Sequence, residues 1–130
     1  RHCENGEKIA HFLNDHPLID TVYWPGLKSH TNHEVAKNQM NDFGGMISFN
    51  LVGDDLEMAK NVVSKTELFT LAESLGGVES LIGHPSTMTH ASIPRDERIK
   101  SGVVDSLIRL SVGIEDVEDL INDLKNALRV

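Results

Sequence analysis

Two segments of the sequence carry side chains whose types and spacing could do chemistry. The first, LAESLGGVESLIGHPSTMTHAS (Leu71–Ser92), places a glycine pair, a run of hydroxyls and two histidines, His84 and His90, in a stretch with neither helical nor strand period. No regular element needs so many small and polar side chains in one place. The second, SLIRLSVG, sets a single arginine, Arg109, inside an alternating apolar run. Ile108, Leu110 and Val112 share one face, so period two puts the Arg109 guanidinium on the other. Two readings follow: a solvated or salt-bridged arginine on an exposed sheet face, or a receptor for an anion. A planar fork of donors suits a carboxylate, and such a charge-assisted contact contributes about 1.5–3 kcal/mol.

Other groups carry less. His30 and His33 in HTNH stand one turn apart, but no third ligand is specified nearby, so surface positions are expected and no metal centre. Ser, His and Asp all occur without a strained nucleophile turn, which gives no ground for a hydrolase triad. His84 and His90 are expected in core or hydrogen-bonding roles, and Tyr23 and Trp24, beside a Pro-Gly turn, in packing.

The elements that must position these groups are legible from periodicity. Glu4 to Asp15 reads as a helix ending at His16-Pro17, because proline disfavours helix in the residue before it. TVYWPG reads as a short strand, and Asn32–Asn41 as a helix with the thin apolar set Val35, Ala36 and Met40. In GGMISFNLVGDD, Ile47, Phe49 and Leu51 alternate with Met46, Ser48 and Asn50, giving a strand with one buried face. From Asp54 the period changes to 3.6, with Leu56, Ala59, Val62 and Val63 on one helical face. The last segment sets Ile114, Val117, Leu120, Ile121, Leu124 and Leu128 on a stripe, acids at its start and Lys125 and Arg129 at its end, as the helix dipole favours. Strands followed by covering helices imply an α+β domain: a small, mainly antiparallel sheet with helices packed on one face. The other face must meet something else.

Composition bounds the partners. At 130 residues the chain makes one domain, and 39% hydrophobic with 25% charged residues is ordinary for a globular protein. No apolar run approaches a membrane span. A net charge of −8 argues against nucleic acid, whose phosphates require clustered Lys and Arg. One cysteine, Cys3, makes neither an internal disulfide nor a thiolate metal site, so a reducing, cytoplasmic compartment is the default. The start, RHCENGEKIAHFL, has no initiator Met and no signal pattern, and reads as a cut inside a longer protein.

Taken in order, NGEKIAHFLNDHP, VYWPGLKSH, GGMISFNL, LAESLGGVESLIGHPSTMTHASIP and LIRLSVGIEDVEDLINDLKNAL resemble the C-terminal domain of the Cys/Met-metabolism enzymes that depend on pyridoxal phosphate. The likeness is strongest to the cystathionine γ-synthase and γ-lyase branch and runs through nearly the whole chain. It implies that residues 1–130 are a single C-terminal substrate-recognition domain of a fold-type I enzyme, with the N-terminal and cofactor-binding domains absent. It implies that Arg109 binds the substrate α-carboxylate, that Ser74 lies at the same carboxylate, that Glu73 lines the pocket near the substrate side chain, and that Thr89 belongs to the same wall. Gly76 and Gly77 would let the backbone turn there. The cofactor, pyridoxal 5'-phosphate, and the lysine that carries it belong upstream in this family. None of Lys8, Lys28, Lys37, Lys60, Lys65, Lys100 or Lys125 stands in that lysine's context, so no catalytic residue and no turnover are expected of the chain alone. The whole enzyme would act by β/γ-elimination or γ-replacement on cystathionine or an O-acylhomoserine, as a homotetramer. The alternative is a free-standing module that binds an amino acid or a partner without catalysis.

Overall fold

A computed structural model describes residues 1–129. Five strands, β1 (Ile19–Tyr23), β2 (Met46–Leu51), β3 (Thr70–Leu71), β4 (Leu81–Gly83) and β5 (Ile108–Ser111), form one sheet in the order β1-β2-β5-β4-β3. Neighbours are antiparallel except β3 and β4, which run parallel. The helices are α1 (His2–Asn14), α2 (His33–Gln39), α3 (Leu56–Lys65), α4 (Arg95–Lys100) and α5 (Val117–Ala127). The fold is the α+β arrangement that the periodicity implies.

The core follows from register. Ile47 and Phe49 of β2 stand opposite Leu110 and Ile108 of β5, and all four are buried. α1 and α5 close over them with Ile9, Leu13, Leu120 and Leu124, each fully buried. Burying one such side chain contributes about 1.5–3 kcal/mol, so this layer rather than helix propensity sets the frame. α5 starts at Val117 because the Asp116 side chain accepts from the Glu118 and Asp119 amides at 2.9 and 3.3 Å. In α3 the Asp55 side chain caps the Met58 amide at 3.1 Å, and Ala59, Val62 and Val63 turn inward.

The structure refines or corrects the sequence expectations at several points. Ile114 is exposed, since the capping turn at Asp116 leaves it outside the helical stripe. Tyr23, on an edge strand, is also exposed, whereas its neighbour Trp24 is buried and donates to the Gly44 carbonyl at 3.0 Å. α2 buries no side chain, which accounts for its thin apolar pattern. Leu71–Ser92 is not wholly irregular: it contains the end of β3 and all of β4, strands of two and three residues, too short to display a period. His30 and His33 lie partly exposed at the surface, with His33 stacked on Phe43. Among the described residues, no helix is long and apolar enough to cross a membrane, and no cluster of His, Cys, Asp and Glu could hold a metal ion.

Candidate functional site

β5 presents Arg109 on the face that the helices leave uncovered, between Ser48 of β2 and Gly83 of β4. Gly83 has no side chain, so the guanidinium is not crowded from that strand. Arg109 is half-buried, and its Nη2 donates to the Ser74 carbonyl at 3.3 Å. It forms no ion pair among the described residues. A guanidinium has five N–H donors, and one long bond to a neutral carbonyl leaves most of that capacity for a ligand. The salt-bridged reading of this arginine is therefore not realised.

Arg109, Glu73 and Thr89 line one shallow, open notch, with His84 and Met88 beside them. Ser74 meets Arg109 through its backbone carbonyl, while its side chain stays exposed. The Thr89 hydroxyl is paired with His90 Nδ1 at 2.8 Å. Three of the four residues expected from sequence thus line the notch, and the fourth touches its arginine. Such an arrangement can hold a carboxylate at the guanidinium, with Glu73 and Thr89 as its polar neighbours.

One wall of the notch is the loop from Ala72 to Ser80, which folds over the face left bare by the helices. Gly76 takes φ +80°, a left-handed conformation that glycine adopts without strain. Its amide donates to Ser111 Oγ at 2.7 Å. Farther along, the Ser80 amide and hydroxyl donate to the Glu115 carboxylate at 2.7 and 2.8 Å, and Ser80 Oγ accepts from the Gly113 amide at 2.8 Å. A Cβ at Gly113 would collide with the Val78 carbonyl, so the loop passes where only glycine allows. Before the loop, Asp123 of α5 accepts the amides of Glu67, Leu68 and Phe69 at 2.8, 2.9 and 3.0 Å. Sequence reading missed Ser111, Glu115 and Asp123. The signal for Ser111 was present, since it follows Arg109 by two in the same strand and so shares its face.

The second wall, Pro85–Thr89, is held by His84 and Asp105. His84 is fully buried; its Nε2 donates to the Asp105 carbonyl at 2.7 Å and its Nδ1 accepts from the Thr87 hydroxyl at 2.8 Å. This is the hydrogen-bonding role expected for it. The Asp105 carboxylate receives Arg95 Nη2 at 2.8 Å and Arg98 Nη2 at 2.6 Å. Hydrogen bonds from Arg95 and then Arg98 hold its carboxyl well below the ordinary 3.8, at about 2. Arg95 is largely exposed and Arg98 is buried, so the Arg98 contact carries most of the stabilisation. Because the folded carboxyl titrates below the unfolded one, the stabilisation is complete above about pH 4 and disappears as pH falls toward about 2. Asp105→Asn is therefore expected to lose about 1.5–3 kcal/mol at neutral pH. Urea unfolding as a function of pH checks this: the gap between the two proteins should be constant above about pH 4 and narrow below it, and a gap that persists to acid pH would refute it.

Each of the seven lysines is exposed, and none lines the notch. The side chains that meet here thus include a guanidinium and no lysine amine.

Helices cover one face of this small sheet, and a half-buried arginine without an acidic partner among the described residues stands on the other. The sequence matches the family described as Cys/Met metabolism PLP-dependent enzyme over residues 1–129. It is 59% identical over 128 residues to a cystathionine beta-lyase of Coxiella burnetii, covering 98% of this chain and 33% of that one. It is 52% identical over 128 residues to an L-methionine gamma-lyase of Fusobacterium nucleatum, covering 98% of this chain and 32% of the relative. A crystal structure of cystathionine gamma synthase from Xanthomonas oryzae in complex with cystathionine superposes with a TM-score of 0.90 at 47% identity, covering 98% of this chain and 33% of that one. The chain belongs to the Cys/Met metabolism PLP-dependent enzyme family, and it spans about one third of the length of the relatives it matches. Similarity at this level extends across proteins named for several different reactions.

The family depends on pyridoxal phosphate. The residues lining the notch do not fit covalent attachment of that group, which requires a lysine, since none is among them.

Proposed function

We propose that this chain is the C-terminal, substrate-recognising part of a longer pyridoxal-phosphate enzyme of sulfur amino-acid metabolism, and that Arg109 binds the α-carboxylate of its substrate. The reaction class is β/γ-elimination or γ-replacement on cystathionine or an O-acylhomoserine, with the cofactor held by the protein's own N-terminal part and the whole assembled as a homotetramer. The observation that carries the carboxylate assignment is Arg109 itself: half-buried on the uncovered sheet face, without an acidic partner among the described residues, and opening on the notch with Glu73 and Thr89.

The work of these residues is orientation. A carboxylate fixed in the guanidinium fork loses its rotational freedom, so the rest of the amino acid is presented in one direction. Ser74 lies at the same place through its carbonyl, and Glu73 stands where a substrate side chain would extend.

The test uses two proteins. The longer protein carrying this chain, loaded with pyridoxal phosphate, should release pyruvate or 2-oxobutyrate from cystathionine, or consume an O-acylhomoserine. The isolated chain, treated with pyridoxal phosphate and borohydride and mapped by peptide mass, should give no site-specific lysine adduct and no keto acid. A stoichiometric adduct with turnover on the isolated chain would place a complete site here and overturn the division of labour. No activity of the loaded longer protein on any of these substrates would overturn the reaction class.

A further inference from the structure

We propose that Ser111 is a positioning residue for the substrate carboxylate, setting where the loop bearing Glu73 and Ser74 stands over Arg109; this rests on the carboxylate reading of Arg109 given above. Ser111 follows Arg109 by two along β5 and shares its face, yet only 3% of it is exposed because the loop covers it. The loop touches the strand at two matching points: Gly76 N–H to Ser111 Oγ at 2.7 Å, and Arg109 Nη2 to the Ser74 carbonyl at 3.3 Å. These contacts are unequal. The Ser111 bond is short and covered, whereas the Arg109 bond is long and open to solvent, so the first fixes the loop and the second can be exchanged for a carboxylate.

Little else could hold the loop there. Leu75 and Val78 are 56% and 62% exposed and supply no packing. The flanking fastenings are the Ala72 amide on the Ile82 carbonyl at 3.1 Å and the Ile114 amide on the Val78 carbonyl at 2.9 Å, and the residues between them rest on the Ser111 and Arg109 contacts. With the Ser111 hydroxyl removed, Gly76 loses its acceptor and Glu73 and Ser74 must be ordered anew each time a substrate binds. That cost falls equally on the bound substrate and the transition state, so it should raise KM and spare kcat.

The experiment uses the loaded full-length protein that carries this chain. Ser111→Ala, Ser111→Cys, Ser111→Thr and Arg109→Ala are compared by steady-state keto-acid release from cystathionine and by hydrogen exchange of the peptide covering residues 73–79. Ser111→Ala should raise KM about 3- to 10-fold, with kcat within about twofold and faster exchange in that peptide, as expected for one net hydrogen bond. Ser111→Thr keeps the hydroxyl and should bring KM back to within about twofold of the parent. If the alanine protein does not fold, Ser111→Cys, a weak acceptor of similar size, should still raise KM. An unchanged KM in the alanine or cysteine protein overturns the proposal even if exchange accelerates, and so does a loss confined to kcat or a threonine protein no better than alanine. An unchanged KM in Arg109→Ala would instead overturn the carboxylate reading itself, which separates the two failures.

Discussion

Arg109→Ala in the full-length protein is expected to lower kcat/KM for amino-acid substrates roughly 10- to 150-fold, the span that corresponds to losing one charge-assisted carboxylate contact. Most of the loss should fall on KM, since the carboxylate is bound throughout the reaction and is not itself transformed. The structure gives the reason for expecting the upper part of the range. Arg109 is already half-buried, it has no competing acid among the described residues, and the one carbonyl it touches, that of Ser74, is a neutral acceptor at 3.3 Å. Arg109→Lys should recover only part of the loss, because an ammonium keeps the charge without the planar fork that grips two oxygens. Steady-state kinetics with cystathionine decide it: an Arg109→Ala protein with an unaltered KM removes the assignment.

The largest effect on stability is expected at Asp123, far from the notch. Its carboxylate accepts three consecutive backbone amides, those of Glu67, Leu68 and Phe69, and fastens the end of α3 and the start of β3 to α5. Asp123→Ala leaves all three donors without that acceptor, one of them buried, and should cost about 3–5 kcal/mol. Asp123→Asn keeps one oxygen and loses the charge, so an intermediate cost is expected. Urea denaturation of the 130-residue chain with the slope held common checks both values. An Asp123→Ala protein within about 0.5 kcal/mol of the parent would mean that the amides find other partners on local rearrangement.

How much of this was legible in the sequence depended on run length. β2, β5, α3 and α5 are long enough for a hydrophobic period to show, and their buried sets, Ile47, Phe49 and Leu51 among them, stand where the alternation put them. β4 was not legible, because Leu81, Ile82 and Gly83 are buried on both faces and leave no alternation to read. Ile114 was misplaced for a different reason: a helical period extends past a capping residue on paper, while the chain turns at Asp116. For the site, Arg109 was readable in position from local pattern alone, whereas Ser74, Glu73 and Thr89 entered through resemblance. The face of Ser111 was readable from its place two after Arg109, but its partner and the clamps at Glu115 and Asp123 were not, since each joins residues tens of positions apart and no local spacing encodes a partner at that range.

The parallel pairing of β3 with β4 has a topological consequence. Parallel neighbours begin at the same end, so a chain leaving β3 cannot turn back as a hairpin and must run back along the strand before β4 can start. The stretch from Ala72 to Ser80 is therefore an obligatory return path, laid over the sheet by connectivity rather than added as an ornament. The ladder at either end fixes where this path begins and finishes, and within it Gly76 and Ser80 are constrained whereas Glu73, Leu75 and Val78 are exposed. Substitution at an exposed position such as Glu73 or Leu75 can therefore alter the wall of the notch while every strand keeps its place.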